Sequence, residues 1–92
     1  MPEDATLLVR DDRVLFSEIG DDIVALDVGR GQCFGMEDVS ATVWRLLAVP
    51  TSLDSLCEEL MAAYDVDPDI CRRDVAELIE RLRAEGLVVT AA

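Results

Sequence analysis

The sequence contains no histidine and no lysine, and its net charge is −12, from twenty acidic residues against eight basic ones that are all arginine. Without histidine, the commonest general base is missing, and no cysteine or serine can be activated by an imidazole. The shortage of cations excludes another class. Binding a phosphate backbone works by replacing condensed counterions with protein cations, and this chain has few to offer. The same balance opposes docking on anionic membranes. It agrees with a well-solvated acidic surface.

Cysteine is scarce and irregular. Cys33, Cys57 and Cys71 are separated by 24 and 14 residues, with no CxxC among them. An odd count at such spacing is no disulfide framework, and a zinc site would need mixed thiolate and carboxylate ligands. Cys57 and Cys71 fall in apolar helical stripes, where free cysteine behaves as a small hydrophobe. The expectation is a reduced, cytoplasmic protein without metal or cofactor. Aromatic residues are few (Phe16, Phe34, Trp44 and Tyr64), so aliphatic side chains must fill the core. No apolar run approaches membrane-spanning length. The acidic start Met1-Pro2-Glu3-Asp4 lacks the positive charge of an export signal.

What is present is a short, strongly patterned chain. Ninety-two residues, 51% of them hydrophobic, predict a single domain over 1–92 with a small core. Residues 1–12 read as a loose arm or a short strand. Arg13–Ile19 is rich in β-compatible residues, and Gly20-Asp21-Asp22 supplies a turn. Ile23–Val28 alternates, Gly29-Arg30-Gly31 is a second turn, and Gln32–Met36 is a third short strand. Three strands on short connections predict an antiparallel meander with the third strand at an edge.

The period changes at Asp38, expected to cap a helix over Val39–Val49 that Pro50 ends. Thr51 or Ser52 caps a second helix with the apolar stripe Leu53, Leu56, Cys57, Leu60 and Tyr64. Asp67-Pro68 announces a third, with stripe Cys71, Val75, Leu78 and Leu82, cations Arg81 and Arg83 in its last turn, and Gly86 as its end. The predicted order is β-β-β-α-α-α.

No catalytic constellation emerges. Gly29-Arg30-Gly31 joins two strands and lacks the glycine spacing of a phosphate loop. Asp65, Asp67 and Asp69 alternate like part of a calcium loop, but the required glycine and terminal glutamate are absent, and helix capping is the better reading. What remains is a surface. An edge strand offers unpaired N–H and C=O groups to which a peptide can add as a further strand. On a helical wheel the third helix's stripe is flanked on one side by Arg72, Ala76, Ile79 and Arg83, and on the other by Asp74, Arg81 and Glu85. Ala76 and Ile79 between arginines suit the apolar wall of a groove. Alternatively, Ile79 belongs to the margin of the core.

The ordered set of Ala25–Met36 (ALDVGRGQCFGM), Asp38, Val43-Trp44-Arg45-Leu46-Leu47, Tyr64-Asp65-Val66-Asp67-Pro68 and Glu85-Gly86-Leu87 resembles PqqD-like proteins. These are the RiPP recognition elements, winged helix-turn-helix α+β domains that bind leader peptides of ribosomally made natural products. The likeness runs over Val14–Val88. It implies that the backbone of Gln32, Cys33, Phe34, Gly35 and Met36 pairs with a leader peptide. Arg72, Val75, Ala76, Ile79 and Arg83 would then be candidates for side-chain pockets. It further implies a partner enzyme to which the precursor is presented: a leader peptidase and cyclase in lasso-peptide pathways, or a radical SAM enzyme for the pyrroloquinoline quinone type. Two rival readings use the same elements. A winged-helix DNA-binding regulator would place the third helix in the major groove, but from Asp69 to Glu85 that helix carries five acids against four arginines. A dimerisation domain would pair or swap the exposed strand with a second copy, making the alternatives monomer and weak dimer.

Overall fold

Alternation and turn chemistry build the first recognisable unit. In the computed structural model, which describes residues 6–91, strands β2 (Leu15–Ile19), β3 (Asp22–Asp27) and β4 (Gln32–Met36) form an antiparallel sheet in the order β2-β3-β4. Gly20 and Gly31 take positive φ values of 64° and 66° in the two turns, a conformation that costs glycine nothing. The register aligns Phe16, Ala25 and Phe34 across the sheet, and Ile23 with Met36. Ile23 and Ala25 are completely buried and Met36 nearly so. One face of the sheet therefore meets the core, and Leu15, Val24, Leu26, Cys33 and Gly35 share the other.

The helices are α1 (Asp38–Leu46), α2 (Leu53–Ala63) and α3 (Pro68–Ala84). The Ser52 hydroxyl accepts from Ser55 N–H at 3.2 Å to cap α2. The Asp67 carboxylate accepts from Asp69 and Ile70 N–H at 2.9 and 3.2 Å to cap α3 ahead of Pro68. Gly86, at φ 76°, closes α3 in a Schellman arrangement, with Leu87 N–H donating to Leu82 and Gly86 N–H to Arg83. These caps match the sequence reading. The start of α1 does not. Asp38 is no N-cap: Glu37 occupies that position without a side-chain cap, and Asp38 is a helical residue at φ 49°. The helix also stops at Leu46, short of Val49, before Pro50 is reached.

The expected strand-then-helix order is likewise corrected. Three further strands, β1 (Leu7–Arg10), β5 (Thr51–Ser52) and β6 (Val88–Thr90), form a second antiparallel sheet in the order β5-β1-β6. The chain runs β-β-β-β-α-β-α-α-β. The reason is non-local pairing: Leu8 lies opposite both Thr51 and Thr90, which no local pattern signals. Arg10 N–H donates to Leu47 C=O and Asp11 N–H to Leu87 C=O, tying this sheet to the ends of α1 and α3.

The core is one cluster. Trp44, Leu47, Val43, Leu56, Leu60, Val75, Leu87 and Val88 join the inner face of the first sheet with almost no exposure. Trp44 meets Phe16 edge-on at 5.7 Å, and the Arg10 guanidinium lies 4.6 Å from the Phe16 ring centre and 5.4 Å from that of Trp44. Desolvation in this setting lowers the Arg10 pKa, with Glu18 opposing the effect. The result is an α+β domain of antiparallel strands and three helices.

Candidate functional site

The first sheet has two outer strands, and they differ in how their edges are guarded. On β2, Glu18 accepts from Arg45 Nε at 2.9 Å, and Arg45 Nη2 reaches on to Asp21 C=O at 3.0 Å. Arg10 covers Phe16 on the same strand. Charges beside an edge discourage a further strand from pairing there. On β4 the sequence Gln32-Cys33-Phe34-Gly35-Met36 carries no charge. Gln32, Cys33 and Gly35 are exposed. Among the described residues, no salt bridge or side-chain hydrogen bond involves this strand. Among the described residues β4 pairs with β3 alone, so its far side is a row of backbone donors and acceptors without a strand partner there.

The last turns of α3 lie beside β4. Phe34, half-buried on the inner face, shares a hollow of about 240 Å³ with Arg81, Leu82, Ala84 and Glu85. Leu78 packs partly against the core one turn before Arg81. Leu78, Arg81 and Glu85 follow the i, i+3, i+7 spacing that puts residues on one helix face. The wall is thus apolar at its base and carries one cation and one carboxylate at its rim. Arg30, in the β3–β4 turn, fixes the two parts relative to each other. Its guanidinium makes a long 3.5 Å hydrogen bond to Ala84 C=O, ion-pairs with Asp27 at 3.8 Å, and lies over Gly86, where an added Cβ would come within 3.7 Å of it.

The α3 positions that the resemblance implied do not line this hollow. Arg72 pairs with Asp54 of α2, and Val75 is core at 1% exposure. Ala76, Ile79 and Arg83 border a separate hollow of about 170 Å³ with Thr6, Leu8 and Leu53. Ile79 is 5% exposed, the core alternative. The structure brings Phe34 of β4 together with Arg81 and Glu85 on the opposite flank of α3. A helical wheel has two flanks, and nothing local says which one a distant strand will meet. The sequence reading took Leu78 into the buried stripe, whereas Ile79 is the more deeply buried of the two. Beside β4 the structure adds Arg81 and Glu85 at Phe34, and Arg30 at the end of α3. Arg81 and Glu85 were visible on the opposite flank, and Arg30 gave no signal beyond its turn.

Cys33 is exposed on β4, and Cys57 is buried on α2, where burial first and the neighbouring Cys71 second push its thiol up to about 11. Such a thiol is a poor nucleophile at neutral pH. What the geometry offers is a backbone edge beside a shallow, mostly apolar cleft.

A family model described as Coenzyme PQQ synthesis protein D (PqqD) matches residues 22–88. Among solved structures, one described as TbiB1 in complex with the TbiA(beta) leader peptide is 26% identical, with a TM-score of 0.83, covering 91% of this chain and 98% of that one. A second, described as lasso peptide synthetase B1 complexed with the leader peptide, is 21% identical, with a TM-score of 0.79, covering 89% and 96%, and shares the fold. No match was found among curated protein sequences.

Proposed function

Because the chain belongs to the coenzyme PQQ synthesis protein D family, we propose that it is a non-catalytic recognition module. It binds the leader peptide of a ribosomally made precursor as a strand added to β4 and presents that precursor to a separate processing enzyme. In this reading the helices and the β2–β3–β4 sheet act as a winged helix-turn-helix. The occupied groove runs between Gln32–Met36 and the Leu78, Arg81 and Glu85 side of α3. The observation that carries the proposal is the asymmetry of the sheet: β2 is guarded by Arg45–Glu18 and Arg10, whereas β4 is uncharged and uncovered beside a ready-made wall. The likeness to TbiB1, described in complex with a leader peptide, supports a leader peptide as the ligand. In this reading the downstream enzymes are a lasso-peptide leader peptidase and cyclase, ahead of a radical SAM enzyme. Among the described residues no helix is long and apolar enough to cross a membrane; the proposed place of action is the cytoplasm.

The test uses the fluorescein-labelled leader of the precursor encoded beside this gene, titrated by anisotropy against the chain and against Cys33→Pro and Phe34→Pro. On an edge strand, neighbouring residues turn their N–H groups in opposite directions. One proline therefore removes a bond to β3 and lowers stability, and the other removes an outward donor and weakens leader binding in a stably folded protein. Unchanged affinity in both folded variants would eliminate strand addition. Saturable binding to duplex DNA with none to the leader would replace this reading with a regulator.

A further inference from the structure

Gly35 lies in the middle of β4, where glycine weakens a strand and commonly marks a close approach by a ligand or another backbone. The free fold gives no reason for it. The glycines with positive φ are Gly20, Gly31 and Gly86, so Gly35 needs no left-handed conformation. A Cβ added to it meets nothing within 4 Å, so no neighbour demands the space.

The register places Gly35 opposite Val24, on the sheet face turned away from the helices. That face is unusual for this chain. The solvent side of an antiparallel sheet is ordinarily polar, and the chain as a whole carries a charge of −12. Yet the only charged residue that β2, β3 and β4 present there is Asp22, at the β2–β3 turn. Leu15 and Ile19 are 59% and 63% exposed. They form, with Val24, Leu26 and Cys33, a shallow hollow of about 410 Å³ whose β4 side is the small residue Cys33.

From these observations we infer that Gly35 is a specificity-determining position, and that the peptide residue directly across from it carries a large apolar side chain, preferably aromatic. This inference rests on the strand-addition reading. A strand added to β4 alternates its side chains between the α3 cleft and the outer face, and the one opposite Gly35 points outward. Cross-strand Cβ positions are only about 5 Å apart. Any side chain at position 35 would fill the space between the incoming residue and Val24. With none, the peptide side chain folds flat over the glycine and covers Val24 and the small Cys33. Aromatic side chains are known to shield a cross-strand glycine on a sheet in this way. The peptide is then read on both faces: by the cleft at Phe34 and Arg81 on the inside, and by the bare glycine on the outside.

The experiment measures binding of the same labelled leader, and of its alanine-scanned versions, to the wild-type chain, Gly35→Ala and Gly35→Val, with thermal melts of each protein. Both variants are expected to melt at or above the wild-type temperature. Leader affinity should fall by a few-fold in Gly35→Ala and by roughly tenfold or more in Gly35→Val, the range for a methylene misfit in an apolar site. One apolar leader position should lose affinity on replacement by alanine with wild type and lose little with Gly35→Val. A folded Gly35→Val variant that binds like wild type, while the proline variants do not, overturns this inference and leaves strand addition standing. A leader that fails to bind wild type overturns both. If Gly35→Val does not fold, unchanged affinity in Gly35→Ala together with no sensitive apolar leader position overturns it equally. Loss of self-association in Gly35→Val with leader binding intact assigns the outer face at Gly35 to a second copy and also overturns it.

Discussion

Asp11 and Arg13 show how a single side-chain pair can write a pH dependence into the domain. Arg13 donates to the Asp11 carboxylate through its backbone N–H at 2.9 Å and through Nε and Nη2 at 3.1 and 2.8 Å. The side-chain hydrogen bonds first and the backbone bond second hold that carboxyl down at about 2. The folded value lies below the unfolded one, so the pair stabilises the fold above the ordinary carboxylate range and loses that contribution as pH falls through it toward 2. Arg13 is largely exposed, which keeps the effect small. The melting temperature should therefore fall on acidification, and slightly less in Arg13→Ala. Thermal melts at mildly acidic and strongly acidic pH check this, and identical pH profiles for the two proteins would show that the pair contributes nothing. The cysteines make a second residue-scale test. Cys33 is exposed, whereas Cys57 and Cys71 are buried and the Cys57 thiol is pushed up to about 11. A disulfide thiol reagent should titrate one thiol in the native protein and three in denaturant. Rapid native reaction at Cys57 would contradict the packing of α2 on α3. Residue identity was also where the sequence reading was weakest. Leu78 and Ile79 are adjacent, both aliphatic, and only tertiary packing decides that Ile79 is the one fully enclosed.

Elements were legible where their cause is local. Gly20 and Gly31 fix the two turns of the first sheet by positive φ, and Asp67-Pro68 and Gly86 bracket α3 by capping chemistry that needs no tertiary partner. The second sheet was legible only in β1, which lies where a short strand was one of the two readings of residues 1–12; its partners were not. β5 has two residues and β6 three, and each becomes a strand only because β1 lies beside it. The start of α1 was misread because an aspartate before an apolar run usually caps, whereas here Asp38 adopts φ 49°, a region that aspartate tolerates better than most residues. The cap of α3 carries a prediction at this scale, since α3 supplies the cleft wall. Asp67→Ala removes acceptors for two N–H groups and should cost about 1 kcal/mol. Urea unfolding should show a lower midpoint with an unchanged slope, the sign of lost stability without a change in compactness. Leader affinity should hold, because the wall lies at the other end of the helix. A large loss of affinity with stability intact would mean that the first turn of α3 belongs to the site.

At the scale of the whole molecule, charge and site are separated. The chain carries a net −12, yet β4 is uncharged, and the cleft rim holds Arg81 and Glu85 one helical turn apart with opposite signs. Contacts at such an edge are main-chain hydrogen bonds and apolar packing, which salt screens little. The long-range field of the acidic surface acts instead on the approach of the peptide. Ionic strength should therefore change the association rate and leave the dissociation rate nearly constant. For a leader with net positive charge, association slows as salt rises. For a net negative one it quickens, because the screened charges are like ones. Stopped-flow anisotropy with leader peptides of opposite net charge, at low and high ionic strength, separates the two rates. If salt instead accelerated dissociation, ion pairs to residues such as Arg81 would be holding the peptide, and the backbone of Gln32–Met36 would be a minor contributor. The same field opposes nucleic acid, whose binding requires the counterion exchange that a chain with eight arginines and twenty acids is poorly equipped to drive. A short uncharged edge on a strongly acidic body selects for a ligand that brings its own backbone to the strand.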